Sequence, residues 1–198
     1  MTSHSLLIAG IDEAGRGCLA GPVVAGAVVL DKEIEGLKDS KRLSPKKRDF
    51  FAKKIKECAK AWAIGIAWPE EIDRYNIFQA TILAMLRALK ALKTTPDLVY
   101  VDGPHALPID IECRAVIKGD SLIPVVSAAS IIAKTFRDNL MMVFDKRYPL
   151  YGFKRHKGYP TKEHLNALER YGPSPIHRLS FGPVKRAFIK EKRACLII

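Results

Sequence analysis

A chain of 198 residues with 48 % hydrophobic and 27 % charged residues excludes a disordered or fibrous protein and suggests one domain, or one with a small appendage. Lys plus Arg outnumber Asp plus Glu by 33 to 21, and the formal charge of +12 points to a polyanionic partner, nucleic acid or an anionic membrane face. Cys18, Cys58, Cys113 and Cys195 are scattered, without Cys-x-x-Cys pairs or zinc spacing, which fits a reducing compartment. Met1 to Ile11 lacks the charged start of a signal peptide, and no apolar run approaches ~20 residues. A soluble, cytoplasmic protein is the expectation.

Leu6–Asp12 and Val23–Leu30 are apolar, β-branched runs bounded by Gly and Pro, and they read as buried strands. Ser44 offers an N-cap and Pro45 a first helical residue, and Phe51, Ile55 and Cys58 recur at helical spacing, so 45–60 reads as a basic amphipathic helix. Trp62–Trp68 reads as a third strand stopped by Pro69, followed by a helix from about Phe78 to Leu92. Leu98–Asp102 and Ile111–Ile117 read as short strands. Pro124 opens a long helix carrying Ile132, Phe136, Leu140 and Phe144, and two short helices are expected near 161–171 and 182–192. Strands first, then alternating β and α, predict an α/β protein with a mixed sheet covered by helices.

The charge is unevenly spread. Residues 38–60 hold ten Lys/Arg against three Asp/Glu, and residues 146–198 hold thirteen against three. The remainder holds ten against fifteen, so two basic segments flank a mildly acidic centre. A solvated helical face explains a single basic run; two with little compensating acid favour a polyanion surface.

Carboxylates recur where apolar strands end. Asp12 and Glu13 close the first strand, where neighbouring side chains take opposite faces, so one acid should point toward a covered face. Asp102 closes Leu98–Val101, and Asp120 stands in the turn before the Pro124 helix. In an α/β sheet such strand ends converge on a ligand crevice. Each acid alone is compatible with a polar strand end or a capping turn. Together they suit hard cations, Mg²⁺ or Mn²⁺, and two such ions ~4 Å apart suit phosphodiester displacement.

Gly15-Arg16-Gly17-Cys18-Leu19-Ala20-Gly21 follows the first strand but lacks the dinucleotide-binding spacing, and a β-branched strand rather than a helix comes after it. Two glycines there allow backbone amides to approach a sugar-phosphate, with Arg16 nearby; a tight turn is the plainer alternative.

Gly10-Ile11-Asp12-Glu13-Ala14-Gly15-Arg16-Gly17 resembles the opening signature of bacterial ribonuclease HII, of the type 2 ribonuclease H family. Asp39-Ser40-Lys41-Arg42-Leu43-Ser44, Val101-Asp102-Gly103, Lys118-Gly119-Asp120-Ser121 and Ser127-Ala128-Ala129-Ser130-Ile131-Ile132-Ala133-Lys134 continue the resemblance in order. So do His156-Lys157-Gly158-Tyr159-Pro160-Thr161 and Arg178-Leu179-Ser180-Phe181-Gly182-Pro183-Val184-Lys185. It spans about residues 6 to 188. One departure is Arg42, where a second Lys is common.

The resemblance implies a ribonuclease H-like fold with a mixed five-stranded sheet flanked by helices and a C-terminal helical segment. It implies a catalytic core over 1–145 and a basic segment, 146–198, packed on it to complete the substrate cleft, in one structural domain. The implied activity is endonucleolytic cleavage of the RNA strand of RNA–DNA hybrids. It extends to cleavage 5′ of single ribonucleotides in duplex DNA, leaving 3′-hydroxyl and 5′-phosphate ends. Asp12, Glu13, Asp102 and Asp120 match the family's catalytic, metal-binding carboxylates. Gly15, Arg16 and Gly17 match the loop that reads the 2′-hydroxyl, Tyr159 the tyrosine on the neighbouring sugar, and Lys41 a phosphate contact. The expected cofactor is Mg²⁺ or Mn²⁺ at a two-metal site, and the expected state is a monomer without membrane partners.

His156 and His164 could approach each other across a turn without a third zinc ligand, and His156 is expected to support the Tyr159 loop. The tail Ile189–Ile198 lies outside the resemblance; its last residues resemble a prenylation box, but docking of an apolar tail is the favoured reading. Two rival functions stay open from the residues. A non-catalytic nucleic-acid-binding module explains the charge but not the acids. A DNA resolvase or transferase on the same fold would use the same carboxylates.

Overall fold

The computed structural model describes residues 6–37 and 43–195. By contacts the chain separates into two compact units. The first comprises Met1–Ala14, Val24–Ile66 and Ile82–Thr135; the second comprises Gly15–Val23, Ala67–Thr81 and Phe136–Ile198. Gly15–Val23 and Ala67–Thr81 group with the C-terminal part, because contacts and not chain order define a compact unit.

The first unit is built on a five-stranded sheet of order β3-β2-β1-β4-β5, formed by β1 (Ile8–Ala14), β2 (Val23–Leu30), β3 (Ala59–Ala67), β4 (Leu98–Asp102) and β5 (Glu112–Val116). β1 runs antiparallel to β2 and parallel to β4, and β4 parallel to β5, so the sheet is mixed as expected. β2 is buried along nearly its whole length, as the run Val-Val-Ala-Gly-Ala-Val-Val-Leu requires of a strand covered on both faces. β3 begins three residues earlier than the sequence suggests. Its inward positions are the small residues Ala61, Ala63 and Gly65, and the bulky apolar signal starts only at Trp62.

α1 (Pro45–Cys58) follows the expected start: Pro45 occupies the first turn and the Ser44 hydroxyl accepts from the Lys47 amide at 3.4 Å. Ala52 and Ile55 turn inward, joining Val28, Ile34, Leu37, Ile131 and Ile132 in one apolar cluster. α4 (Pro124–Arg147) lies against the sheet through its first half. A Cβ on Gly10 would collide with the backbone of Val125 and Val126, and one on Gly26 would come within 2.5 Å of the Ala129 carbonyl oxygen. Glycines on the strands and Ala128, Ala129 and Ala133 on the helix therefore set helix and sheet at backbone distance.

α2 (Pro69–Ala91) starts nine residues before the apolar periodicity does. Its opening turn is held by the Glu71 carboxylate, which accepts from the Trp68 amide at 3.0 Å, a capping signal in Trp-Pro-Glu-Glu that the apolar pattern overlooks. At Asn76 the backbone breaks to φ 68°, ψ 166°, and the Asn76 side chain caps the helix anew, accepting from the amides of Phe78 and Gln79 at 2.9 and 3.1 Å.

In the second unit, a 3-10 turn (Pro149–Tyr151), α5 (Phe153–His156) and α6 (Lys162–Tyr171) surround the buried Phe153, with Ala20, Met141, Tyr151, Ala167 and Ile176. α7 (Gly182–Cys195) packs Val184 against Leu19 and Leu168. Asp73 accepts from the amides of Leu179 and Ser180 at 2.9 and 2.8 Å, which fixes the approach to α7.

Candidate active site

The parallel register of β1 and β4 decides where two of the carboxylates stand. Ile11 pairs with Val101, so Asp12 and Asp102, one residue further on, stand side by side on the same face, Asp102 at the end of β4 and Asp12 two residues before the end of β1. That face is the one covered by α4, since Gly10 and Gly26 on it touch the helix backbone. Asp12 is accordingly only 3 % exposed, while alternation turns the half-exposed Glu13 the other way. The covered acid expected from the sequence is Asp12.

Its carboxylate accepts from the Glu13 amide at 2.7 Å and from the Ser130 hydroxyl on α4. These bonds hold the charge only in part. Burial, then the neighbouring charges of Glu13 and Asp102, raise the Asp12 pKa well above the ordinary carboxylate range. Asp120 arrives by another route. α3 (Gly119–Leu122) begins after Lys118 at φ 60°, and a Cβ on Gly119 would lie 3.7 Å from the Asp102 Cα. α3 thus packs against the end of β4, with Asp120 buried in its first turn.

Among the described residues, no three His, Cys, Asp or Glu side chains stand close enough to enclose a metal ion as they are placed. The donor chemistry nevertheless fits a hard divalent cation. All four side chains offer oxygen, the buried Oδ1 of Asp102 has no hydrogen-bond partner, and Asp12 is held among like charges.

The sugar-reading candidates gather in the second unit. The loop Gly15–Pro22 is laced by two buried arginines that the sequence reading assigned no role. Arg178 donates to the carbonyls of Gly15, Arg16 and Gly21 at 2.7, 2.9 and 2.9 Å. Arg137 donates to Pro22, Ala20 and Lys157 at 2.9, 3.0 and 2.9 Å. Burial lowers the Arg178 pKa to about 10, so it stays a cation at neutral pH. An arginine inside the apolar stripe of α4 was the one available signal for Arg137.

Gly15 has φ +96° and no room for a side chain beside Arg137. Gly17 is different: a Cβ there meets nothing within 4 Å. Arg16 and Gly17 are the exposed residues of the turn. The Leu19 amide donates to the Gly158 carbonyl at 2.8 Å, and a side-chain hydrogen bond links Cys18 to Tyr159. Loop and tyrosine are therefore neighbours, and the Tyr159 side chain is 40 % exposed. His156 supports this loop as expected, accepting from the Gly158 amide at Nδ1 at 3.2 Å. Its ring stacks on that of His164 at 4.4 Å. Lys41 lies outside the described residues, as does the end of the apolar tail.

The Ribonuclease HII family profile matches residues 9–184. The chain is 59 % identical to the ribonuclease HII of Dechloromonas aromatica over 182 residues, 91 % of this chain and 93 % of that one. With the ribonuclease HII of Thermotoga maritima it shares 57 % over 178 residues, 90 % of this chain and 74 % of the other. The crystal structure of ribonuclease H2 from Pyrococcus horikoshii superposes with a TM-score of 0.84 at 29 % identity, covering 95 % of this chain and all of that one. This chain belongs to the ribonuclease HII family and is an endonuclease of the ribonuclease H type, acting on nucleic acid.

Proposed function

We propose that the enzyme hydrolyses the RNA strand of RNA–DNA hybrids and cuts 5′ of single ribonucleotides in duplex DNA, using Mg²⁺ or Mn²⁺ and leaving 3′-hydroxyl and 5′-phosphate ends. Family membership removes the two rivals, a non-catalytic binding module and a DNA resolvase or transferase. The observation that carries the metal-dependent reading is the pair Asp12 and Asp102, set side by side by strand register with Asp12 buried among like charges.

Asp12, Glu13, Asp102 and Asp120 would hold the ions. Bound there, divalent cations would supply a water of lowered pKa and charge stabilisation for the leaving 3′-oxygen. The protein's part is to hold the carboxylates in place. Ser130 and the Glu13 amide orient Asp12, and α3 seats Asp120 beside the end of β4.

Substrate choice would rest on the second unit. A 2′-hydroxyl distinguishes RNA from DNA, and reading it takes close backbone approach. Among the described residues nothing lies within 4 Å of a Cβ at position 17, which supports a role for that bare backbone toward substrate. Arg16 and the half-exposed Tyr159 beside it would meet phosphate and sugar. Lys41 would contact a phosphate. Scattered cysteines, of which Cys58 and Cys113 are thiols, support a reducing, cytoplasmic setting.

The test compares an all-DNA duplex, the same duplex with one ribonucleotide, and a hybrid, each with and without Mg²⁺ or Mn²⁺. Cleavage confined to the ribonucleotide-containing substrates and to added metal is expected. Near-wild-type cleavage by Asp102→Asn would remove that carboxylate from the site.

A further inference from the structure

Three buried histidines beside the substrate loop are unused by the reaction itself, and their hydrogen bonds can be followed atom by atom. The Ser174 amide lies 2.9 Å from His177 Nδ1; an amide only donates, so that nitrogen accepts. The proton of a neutral His177 then sits on Nε2, which faces His164 Nε2 at 3.0 Å. His164 Nε2 must accept, leaving its proton on Nδ1, 2.9 Å from the Tyr159 carbonyl, which can only accept. The two ends fix the polarity of the whole chain. A proton added to either ring would set two N–H groups against each other.

We propose that Ser174, His177 and His164 form a one-way relay of neutral, single-tautomer rings ending on the Tyr159 carbonyl, so that His164 is a positioning residue for ribose recognition. The inference rests on Tyr159 reading the sugar. His156 completes the cradle with the opposite tautomer: Nδ1 accepts from the Gly158 amide and Nε2–H donates to the Tyr151 carbonyl at 2.8 Å. Its ring lies nearly parallel to that of His164, at 14°. The Tyr159 amide itself donates to the His156 carbonyl at 2.9 Å. Both peptide groups around Tyr159 are thus committed before substrate arrives, so its ring is pre-set. Burial agrees, lowering His164 to about 4 and His177 to about 3.

Nitrogen-15 resolved NMR of the full-length enzyme tests the relay without any activity. We expect an Nδ1–H tautomer for His164 and Nε2–H tautomers for His177 and His156; an Nε2–H tautomer at His164 overturns the relay. Steady-state cleavage of a one-ribonucleotide duplex tests its purpose. His164→Leu should raise KM about tenfold with kcat changed less, the loss of one buried hydrogen bond. His164→Asn, whose amide nitrogen replaces the Nδ1 donor, should recover most of that loss, and His177→Gln likewise keeps a donor toward His164. A folded His164→Leu enzyme with unchanged KM overturns the positioning role. Tyr159→Ala separates the two failures: if its KM is unchanged, the sugar-reading assignment falls, and the tautomers alone judge the relay.

Discussion

Gly15 and Gly17 stand two positions apart and are glycine for different physical reasons. At Gly15 the backbone has positive φ and Arg137 fills the space a Cβ would need, so Gly15→Ala should lower thermal stability, by about 1–3 kcal/mol. At Gly17 nothing stands in the way, so Gly17→Ala should leave the melting temperature within about a degree yet depress cleavage of a one-ribonucleotide duplex. Equal activity in that variant would show that the bare backbone of Gly17 is not used. Asp12 carries the converse bargain between stability and function. Its raised pKa means that the ionised form destabilises the fold at neutral pH. Asp12→Asn keeps the acceptor for the Glu13 amide and removes the charge. It should therefore melt at a higher temperature while losing cleavage. A lowered melting temperature would refute the charge argument.

At the scale of elements, α2 is two helices joined at one residue. Asn76 holds a backbone conformation ordinarily reserved for glycine and repays it by capping two amides. Asn76→Ala forfeits the cap and keeps the strain, so denaturant unfolding should show a loss of about 1–2 kcal/mol; Asn76→Gly should lose less. The Gly15–Pro22 loop depends on distant donors in the same way. Arg178→Met would take a donor from three carbonyls, of which that of Gly15 keeps the Cys18 amide at 3.4 Å, at about 1–3 kcal/mol for each group that stays buried and unsatisfied. Arg178→Lys should recover little, because a point charge cannot replace a planar fork. None of this was legible in the glycine spacing, which excluded a dinucleotide site and left a sugar-phosphate approach or a tight turn. The buried donors come from positions more than a hundred residues away.

For the molecule as a whole, the buried histidines set a pH dependence. His156, His164 and His177 are all lowered from the ordinary 6.5 by burial, His164 to about 4 and His177 to about 3. The unfolded chain therefore binds more protons than the folded one below 6.5. The histidine contribution is complete above that value and is lost as pH falls toward 4 and 3, at about 1.4 kcal/mol per pH unit for each group. Chemical denaturation between pH 7 and 4 should show this slope, and His164→Asn should make it shallower. A stability independent of pH across that window would mean that the rings are not held neutral. Charge sets the other global property. The two basic segments should make binding salt-dependent, with a slope of log affinity against log salt of about −0.9 for each phosphate engaged.

Much was written locally. Net charge and its uneven spread pointed to a polyanion as the partner, and apolar runs ending in Asp12 and Asp102 marked the candidate metal-binding acids. Ser44-Pro45 placed the start of α1, and seven ordered stretches pointed to the family. Those signals are short-range: a strand end, a cap or a motif is carried by neighbours in the chain. The tertiary structure decided the rest. Strand register put Asp12 beside Asp102, glycine-to-helix contacts buried Asp12 under α4, Arg137 and Arg178 laced the Gly15–Pro22 loop, and His164 met His177 and the Tyr159 carbonyl. Each of these unites groups remote in sequence, and burial, which shifts their charge states and leaves their polar atoms only each other, exists only once the chain has closed around them.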